Sequence, residues 1–173
     1  MQEDSGEIRK ELGKAMDYQA DAAQKVEWIV AVLKDTRLYA GLILKEASER
    51  LGRKSPSFVG DFEDMRNRAT LANTLALCDV YEVKLQFILN LYDQRKKVTK
   101  AATRRWLNDL DVEAIGFDEP GRKDLIRGIE RSGTFCLRVA VGTALMDEYP
   151  HIQPLQTLAF MAVVEDYDWK FSI

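Results

Sequence analysis

Apolar residues along this chain recur by threes and fours rather than by twos, the spacing that gathers side chains on one face of an α-helix. The clearest run spans Gly60 to Val98, where Phe62, Met65, Ala69, Ala72, Leu75, Ala76, Val80, Val83, Phe87, Ile88 and Leu91 mark such a face. It reads as one helix, or as two with a joint near Cys78–Tyr81, because Asp79, Val80 and Tyr81 are weak helix formers in succession. Asp61 is expected to cap its start, with Asp64 adding negative charge to the first turn.

Before it, Val26, Ile29, Val30, Leu33, Ala40, Ile43, Leu44, Ala47 and Leu51 form a broad stripe. Gly52 supplies its stop, and Pro56 bars continuation. Residues 1–25 are polar, with Ser5 as an expected N-cap. They predict a helical arm that either packs along the bundle or extends into solvent against another copy. Residues 26–173 then form the domain proper.

After Val98 a short helical pattern runs from Thr99 through Trp106, Leu107 and Leu110. DLDVEAIGFDEPG reads as a loop, and Asp118 followed by Glu119 and Pro120 makes a good helix start. That helix carries Leu125, Ile126 and Ile129 to a break at Ser132–Gly133. Phe135 to Leu145 alternates in part, but Ala140, Ala144 and Met146 complete a helical spacing and no hairpin partner follows. Pro150 and Pro154 bracket another break, and a last helix is expected from Leu155 before the tail EDYDWKFSI. The fold class this predicts is all-α: a single-domain bundle of five to seven helices, each burying one face against another.

The composition suits this. The chain has 173 residues, 46% hydrophobic and 31% charged, with only 10 Gly and 4 Pro, so it is long enough for one core and poor in turns. Cys78 and Cys136 each lie in apolar runs and read as buried thiols rather than a disulfide, which suits a reducing compartment. The opening MQEDSGEIRKELGK has no apolar run of the secretory kind, and Phe135–Met146, the longest apolar candidate, is interrupted by Arg138. The expected localisation is cytoplasmic, with no membrane partner.

Little here points to a reaction. His151 is the one histidine; it supplies no metal triad and has no G-x-S-x-G serine to serve, so it reads as a loop or capping residue. Gly52-Arg-Lys-Ser lacks the upstream glycine of a phosphate loop. The carboxylates at Asp61, Glu63, Asp64, at Asp109, Asp111, Glu113 and at Glu165, Asp166, Asp168 lack the Glu-x-x-His pairs of a di-metal bundle and read as solvated charges. No catalytic residue, metal or cofactor is expected.

One cluster stands out against the net charge of −3: Arg95, Lys96, Lys97, Lys100, Arg104 and Arg105, with Trp106 beside them. Six cations so close can contact phosphates, and an indole can stack on a base, which makes them candidate nucleic-acid-binding residues. The plainer reading is that these cations offset helix dipoles and that Trp106 belongs to the core.

Three segments resemble the mannitol operon repressor-like (MltR-like) family, helical proteins related to the HEPN domains. Gly60-Asp-Phe62 with Leu71-Ala-Asn-Thr-Leu-Ala-Leu-Cys78 is similar to that family's G-x-F … L-A-x-x-L-G-L-I run. Tyr81 through Gln94 resembles its following helix, and Phe117-Asp-Glu-Pro-Gly-Arg-Lys-Asp-Leu125 its F-D-x-P-x-x-R-D segment. The likeness covers about residues 36 to 148. It implies a non-enzymatic transcriptional regulator or protein-interaction module that docks a protein partner or helps a DNA-bound complex, associating through helical faces, including as a homodimer. HEPN ribonucleases carry an R-N-x-x-x-H-type motif. Here Arg95-Lys96-Lys97-Val98-Thr99-Lys100 keeps the arginine and lacks the asparagine and histidine. The resemblance therefore also allows an RNA-binding protein with a degenerate ribonuclease site. An accessory protein of a phage or mobile element that binds a host protein is a third alternative.

Overall fold

The computed structural model describes residues 4–109, 118–152 and 169–173, with side chains from residue 10 onward. Among the described residues there are eight α-helices and no strand: the all-α class is the one the periodicity predicts, while the count exceeds the expected five to seven because turns at Gly41 and Met65 cut the long apolar runs. They are α1 (Asp4–Tyr39), α2 (Leu44–Arg50), α3 (Ser57–Glu63), α4 (Leu71–Val80), α5 (Leu85–Gln94), α6 (Lys100–Asp109), α7 (Glu119–Arg131) and α8 (Gly133–Glu148). A single 3-10 turn, Arg95–Lys97, links α5 to α6.

The C-terminal half of α1 is the central helix. Trp28, Val32, Asp35 and Tyr39 are buried on one side and Val30, Leu33 and Arg37 on the other. Residues 10–24 are exposed, so the same helix leaves the bundle as a projecting arm that already includes Ser5. Ser5 therefore lies within the helix rather than capping it.

The stripe from Val26 to Leu51 is cut in two. Gly41 takes a left-handed conformation (φ 69°), its N–H bonds the Leu38 carbonyl at 3.0 Å, and the Leu42 N–H bonds Arg37 at 3.0 Å. Such crossed bonds satisfy a helix's last carbonyls, and glycine adopts the required φ without a steric penalty. Gly52 ends α2 in the same way, as its position predicts.

The run from Gly60 to Val98 holds three helical segments rather than one or two. Asp61 sits inside α3, whose first turn follows Pro56, so its expected role as an N-cap is corrected. Proline is well tolerated there because a helix start needs no N–H. Met65 (φ 58°) stops α3, and Thr70 caps α4 by accepting from the Asn73 N–H at 3.2 Å. Glu82 (φ 56°) ends α4 close to the expected joint.

Two residues after α8 hold that joint. The Tyr149 hydroxyl accepts from the Lys84 N–H at 3.0 Å, and His151 Nε2 lies 2.8 Å from the Tyr81 carbonyl oxygen. His151 thus occupies a loop, where it bonds backbone. Asp118 caps α7, accepting from Gly121 at 2.8 Å, and Ser132 both ends α7 and caps α8. The α7–α8 crossing is tight: a Cβ on Gly128 would lie 2.2 Å from Phe135 Cε1.

The described end of the chain returns to the centre. Trp169 and Phe171 pack edge-on against Trp28 at ring distances of 5.3 and 5.1 Å, and Tyr92 lies 5.9 Å from it. Cys78 and Cys136 are buried free thiols. No helix among the described residues is long and apolar enough to cross a membrane. The helix expected from Leu155 lies outside the described residues, as do Asp111, Glu113, Glu165, Asp166 and Asp168.

Candidate nucleic-acid interface

The basic segment begins where α5 runs out. Arg95 Nη1 donates to the Tyr92 carbonyl at 2.7 Å, and its guanidinium lies 3.5 Å from the centre of the Tyr92 ring. A cation held on the last carbonyls of a helix opposes the dipole's negative end, and the ring face adds its own attraction. Thr99 then starts α6, its hydroxyl accepting from the Ala102 N–H at 3.1 Å.

α6 is amphipathic. Thr103 and Leu107 are buried, Trp106 is half-buried against the core, and Lys100, Arg104 and Arg105 face outward. Two of those cations are engaged with the end of α7. Arg104 pairs with Glu130 at 2.8 Å, and Lys100 Nζ lies 3.4 Å from the Glu130 carbonyl oxygen.

The cluster therefore divides. Arg95, Lys100 and Arg104 are tied to helix ends, while Lys96, Lys97 and Arg105 are exposed and form no ion pair among the described residues. Only these three present an uncommitted charge to a phosphate. Trp106, with part of its indole against the core, is a poorer stacking surface than a free ring.

Beside this segment, Tyr92 joins α5 to the base of the arm. Its hydroxyl lies 3.0 Å from Asp21 Oδ1 and 3.2 Å from Gln24 Oε1, and Lys25 pairs with Asp21 at 2.9 Å. The hydrogen bonds from Lys25 and Tyr92 hold the Asp21 carboxyl below its ordinary pKa. Burial, then Asp21, pushes the Tyr92 phenol up.

Two charge pairs inside the bundle were not readable as pairs in the sequence. Arg138 of α8 grips Asp35 of α1 through Nε (3.1 Å) and Nη2 (3.0 Å), and Tyr39 adds its hydroxyl to Asp35 at 3.1 Å. Arg37 grips Glu63 through Nε (2.6 Å) and Nη2 (2.9 Å) and donates to the Leu42 carbonyl at 2.7 Å. Burial raises the Asp35 carboxyl above its ordinary pKa even with Arg138 beside it. For Arg37, burial works against the charge and Glu63 more than offsets it, so its pKa is raised.

Glu63 is thus corrected from a solvated carboxylate to half of a buried pair. Its neighbours Asp61 and Asp64 do face outward, both towards Arg66. The signal available in sequence was a charge set inside an apolar run, as Asp35, Arg37 and Arg138 are. Both pairs consume the charges they contain, which leaves them suited to joining helices rather than to moving protons.

Among the described residues no group of His, Cys, Asp and Glu is placed to hold a metal ion. No protein-family model matches the chain, and no curated protein or solved structure matches it.

Proposed function

We propose that the protein is a non-enzymatic regulator working as a protein-interaction module, the role implied by its resemblance to the mannitol operon repressor-like proteins. The observation that supports this reading best is the outer face of α4. Leu71 and Leu75, one turn apart, are 67% and 44% exposed, and Ile43 and Leu44 at the start of α2 also face outward. Large aliphatic side chains on one helix face lose contact with water favourably when a partner covers them. Capture of a stoichiometric protein partner by the full chain tests it. Leu71→Asp with Leu75→Asp should abolish capture and lower the thermal midpoint only modestly, since Leu71 is two-thirds exposed and Leu75 nearly half. Retention by that variant, or turnover of a substrate by purified protein, counts against the reading.

A second reading, RNA binding of the HEPN type with a degenerate ribonuclease site, draws on the exposed Lys96, Lys97 and Arg105. A gel shift that weakens with salt and is lost when these three become alanine would favour it. Absence of any shift at low salt would remove it.

A further inference from the structure

We infer that residues 169–173 are an exchangeable docking strand, and that the surface they cover on α1 and α8 takes an extended peptide of the pattern aromatic-x-aromatic-x-aliphatic from a partner protein. The chain's own copy of that pattern, Trp-Lys-Phe-Ser-Ile, fills the surface in cis.

The segment is not built into the bundle as the helices are. It has no helical structure, and among the described residues it makes no backbone–backbone hydrogen bond to the rest of the chain. Elements that belong to a core settle those groups in a helix or a ladder. Alternate side chains hold this segment instead. Trp169 is buried and Phe171 half-buried, while Lys170 and Ser172 are exposed. Ile173 lies over the start of α8, where a Cβ on Gly133 would come 3.0 Å from its Cγ1 and 3.5 Å from its backbone nitrogen. Such alternation is how an extended peptide presents itself to a surface, with the inward positions carrying specificity.

The receiving surface is oriented without the segment. Trp28, whose ring meets Trp169 at 5.3 Å and Phe171 at 5.1 Å, donates its Nε1–H to the Ile88 carbonyl at 3.0 Å and packs on Tyr92 of α5. Arg138, whose guanidinium lies 5.8 Å from the centre of the Trp169 ring, is fixed by its two bonds to Asp35. A site organised before its ligand arrives loses less freedom on binding. Aromatic anchors carry a large share of the energy at such sites, so a partner peptide with the same two rings competes with residues 169–173 for this one.

The probe is the fluorescein-labelled peptide Trp-Arg-Phe-Ser-Ile, in which arginine at an outward position resists a lysine-specific protease. Fluorescence anisotropy should show it binding the full chain. Phe171→Ala, which loosens the strand in cis and so weakens a tethered competitor, should tighten that binding about tenfold. The same peptide with alanine at both aromatic positions should not bind. Absence of binding to the parent chain and the variant alike overturns the inference.

The parent chain supplies a second readout that does not depend on the variant's folding. A protease must take several extended residues into its site, so cleavage after Lys170 requires the strand to leave. Excess peptide should raise the release of residues 171–173 several-fold without lowering the thermal midpoint of the bundle. Resistance at Lys170, or cleavage that the peptide leaves unchanged, overturns exchange. A concentration-dependent dimer of the parent chain that Phe171→Ala abolishes would assign the surface to strand exchange between two copies and overturn the partner peptide. The Leu71–Leu75 reading survives either failure, because capture there does not require residues 169–173 to move.

Discussion

Gly128 shows how much one side chain's absence sets here. The ring of Phe135 occupies the space where a β-carbon would sit, 2.2 Å from its Cε1. Gly128→Ala must push the ring or separate α7 from α8, and overpacking of this kind costs about 1–3 kcal/mol. Urea unfolding should report that loss, and adding Phe135→Leu should recover part of it by vacating the site. Cys78 makes a pH-dependent prediction at the same scale. Burial, followed by Asp79, pushes its thiol up to about 11 from an ordinary 9.0. Above pH 9 the unfolded chain releases a proton that the folded chain keeps, so stability falls as pH rises towards 11. The sign follows because the folded state binds more protons throughout that window, and a two-unit shift corresponds to roughly 2–3 kcal/mol. Stability measured between pH 8 and 11 should decline less steeply in Cys78→Ala than in the parent chain.

Between elements, the Asp35–Arg138 pair joins α1 to α8 beneath the Trp169 ring, whose centre lies 5.8 Å from the guanidinium. Arg138→Met leaves an unpaired buried carboxylate and should cost about 3–5 kcal/mol, read by chemical denaturation. Asp35→Leu combined with it should recover much of that loss, because the stranded charge is then gone. Such pairs mark where sequence reading stops. Asp118, Ser132 and Gly52 are legible as helix starts and stops because cap chemistry is local to a few residues. Gly41 carried the same signal within a stripe whose spacing continued across it. Met65 and Glu82 carried none: a non-glycine residue enters the left-handed region only when surrounding packing holds it there, at about 1–2 kcal/mol. Glu63 looked solvated because Asp61 and Asp64 are, while its partner Arg37 lies 26 residues away. In the candidate interface the six cations were visible as a cluster. That Glu130 holds Lys100 and Arg104 is a matter of α7 being near, which spacing within the segment cannot encode, whereas Arg95 on the Tyr92 carbonyl three residues back is the local helix-end role those cations predict.

For the molecule as a whole, the two functional readings differ in their dependence on salt. The chain is acidic overall, with 28 Asp and Glu against 25 Lys and Arg, so phosphate binding would work against its net charge. Three exposed cations, Lys96, Lys97 and Arg105, could each displace a counterion from single-stranded RNA. At about 0.7 counterion per contact, the logarithm of the affinity should fall with that of the salt concentration at a slope of roughly −2. A markedly steeper slope would mean that Arg95, Lys100 and Arg104 leave Tyr92 and Glu130 to join the contact. Lys96→Ala with Lys97→Ala should then remove most of the dependence that three cations produce. A partner held against Leu71 and Leu75 should behave oppositely, because burial of aliphatic surface involves no condensed ions and does not weaken with moderate salt. Titrating salt against both RNA retention and protein capture, on one preparation, separates a charge-driven contact from an apolar one before either ligand is named.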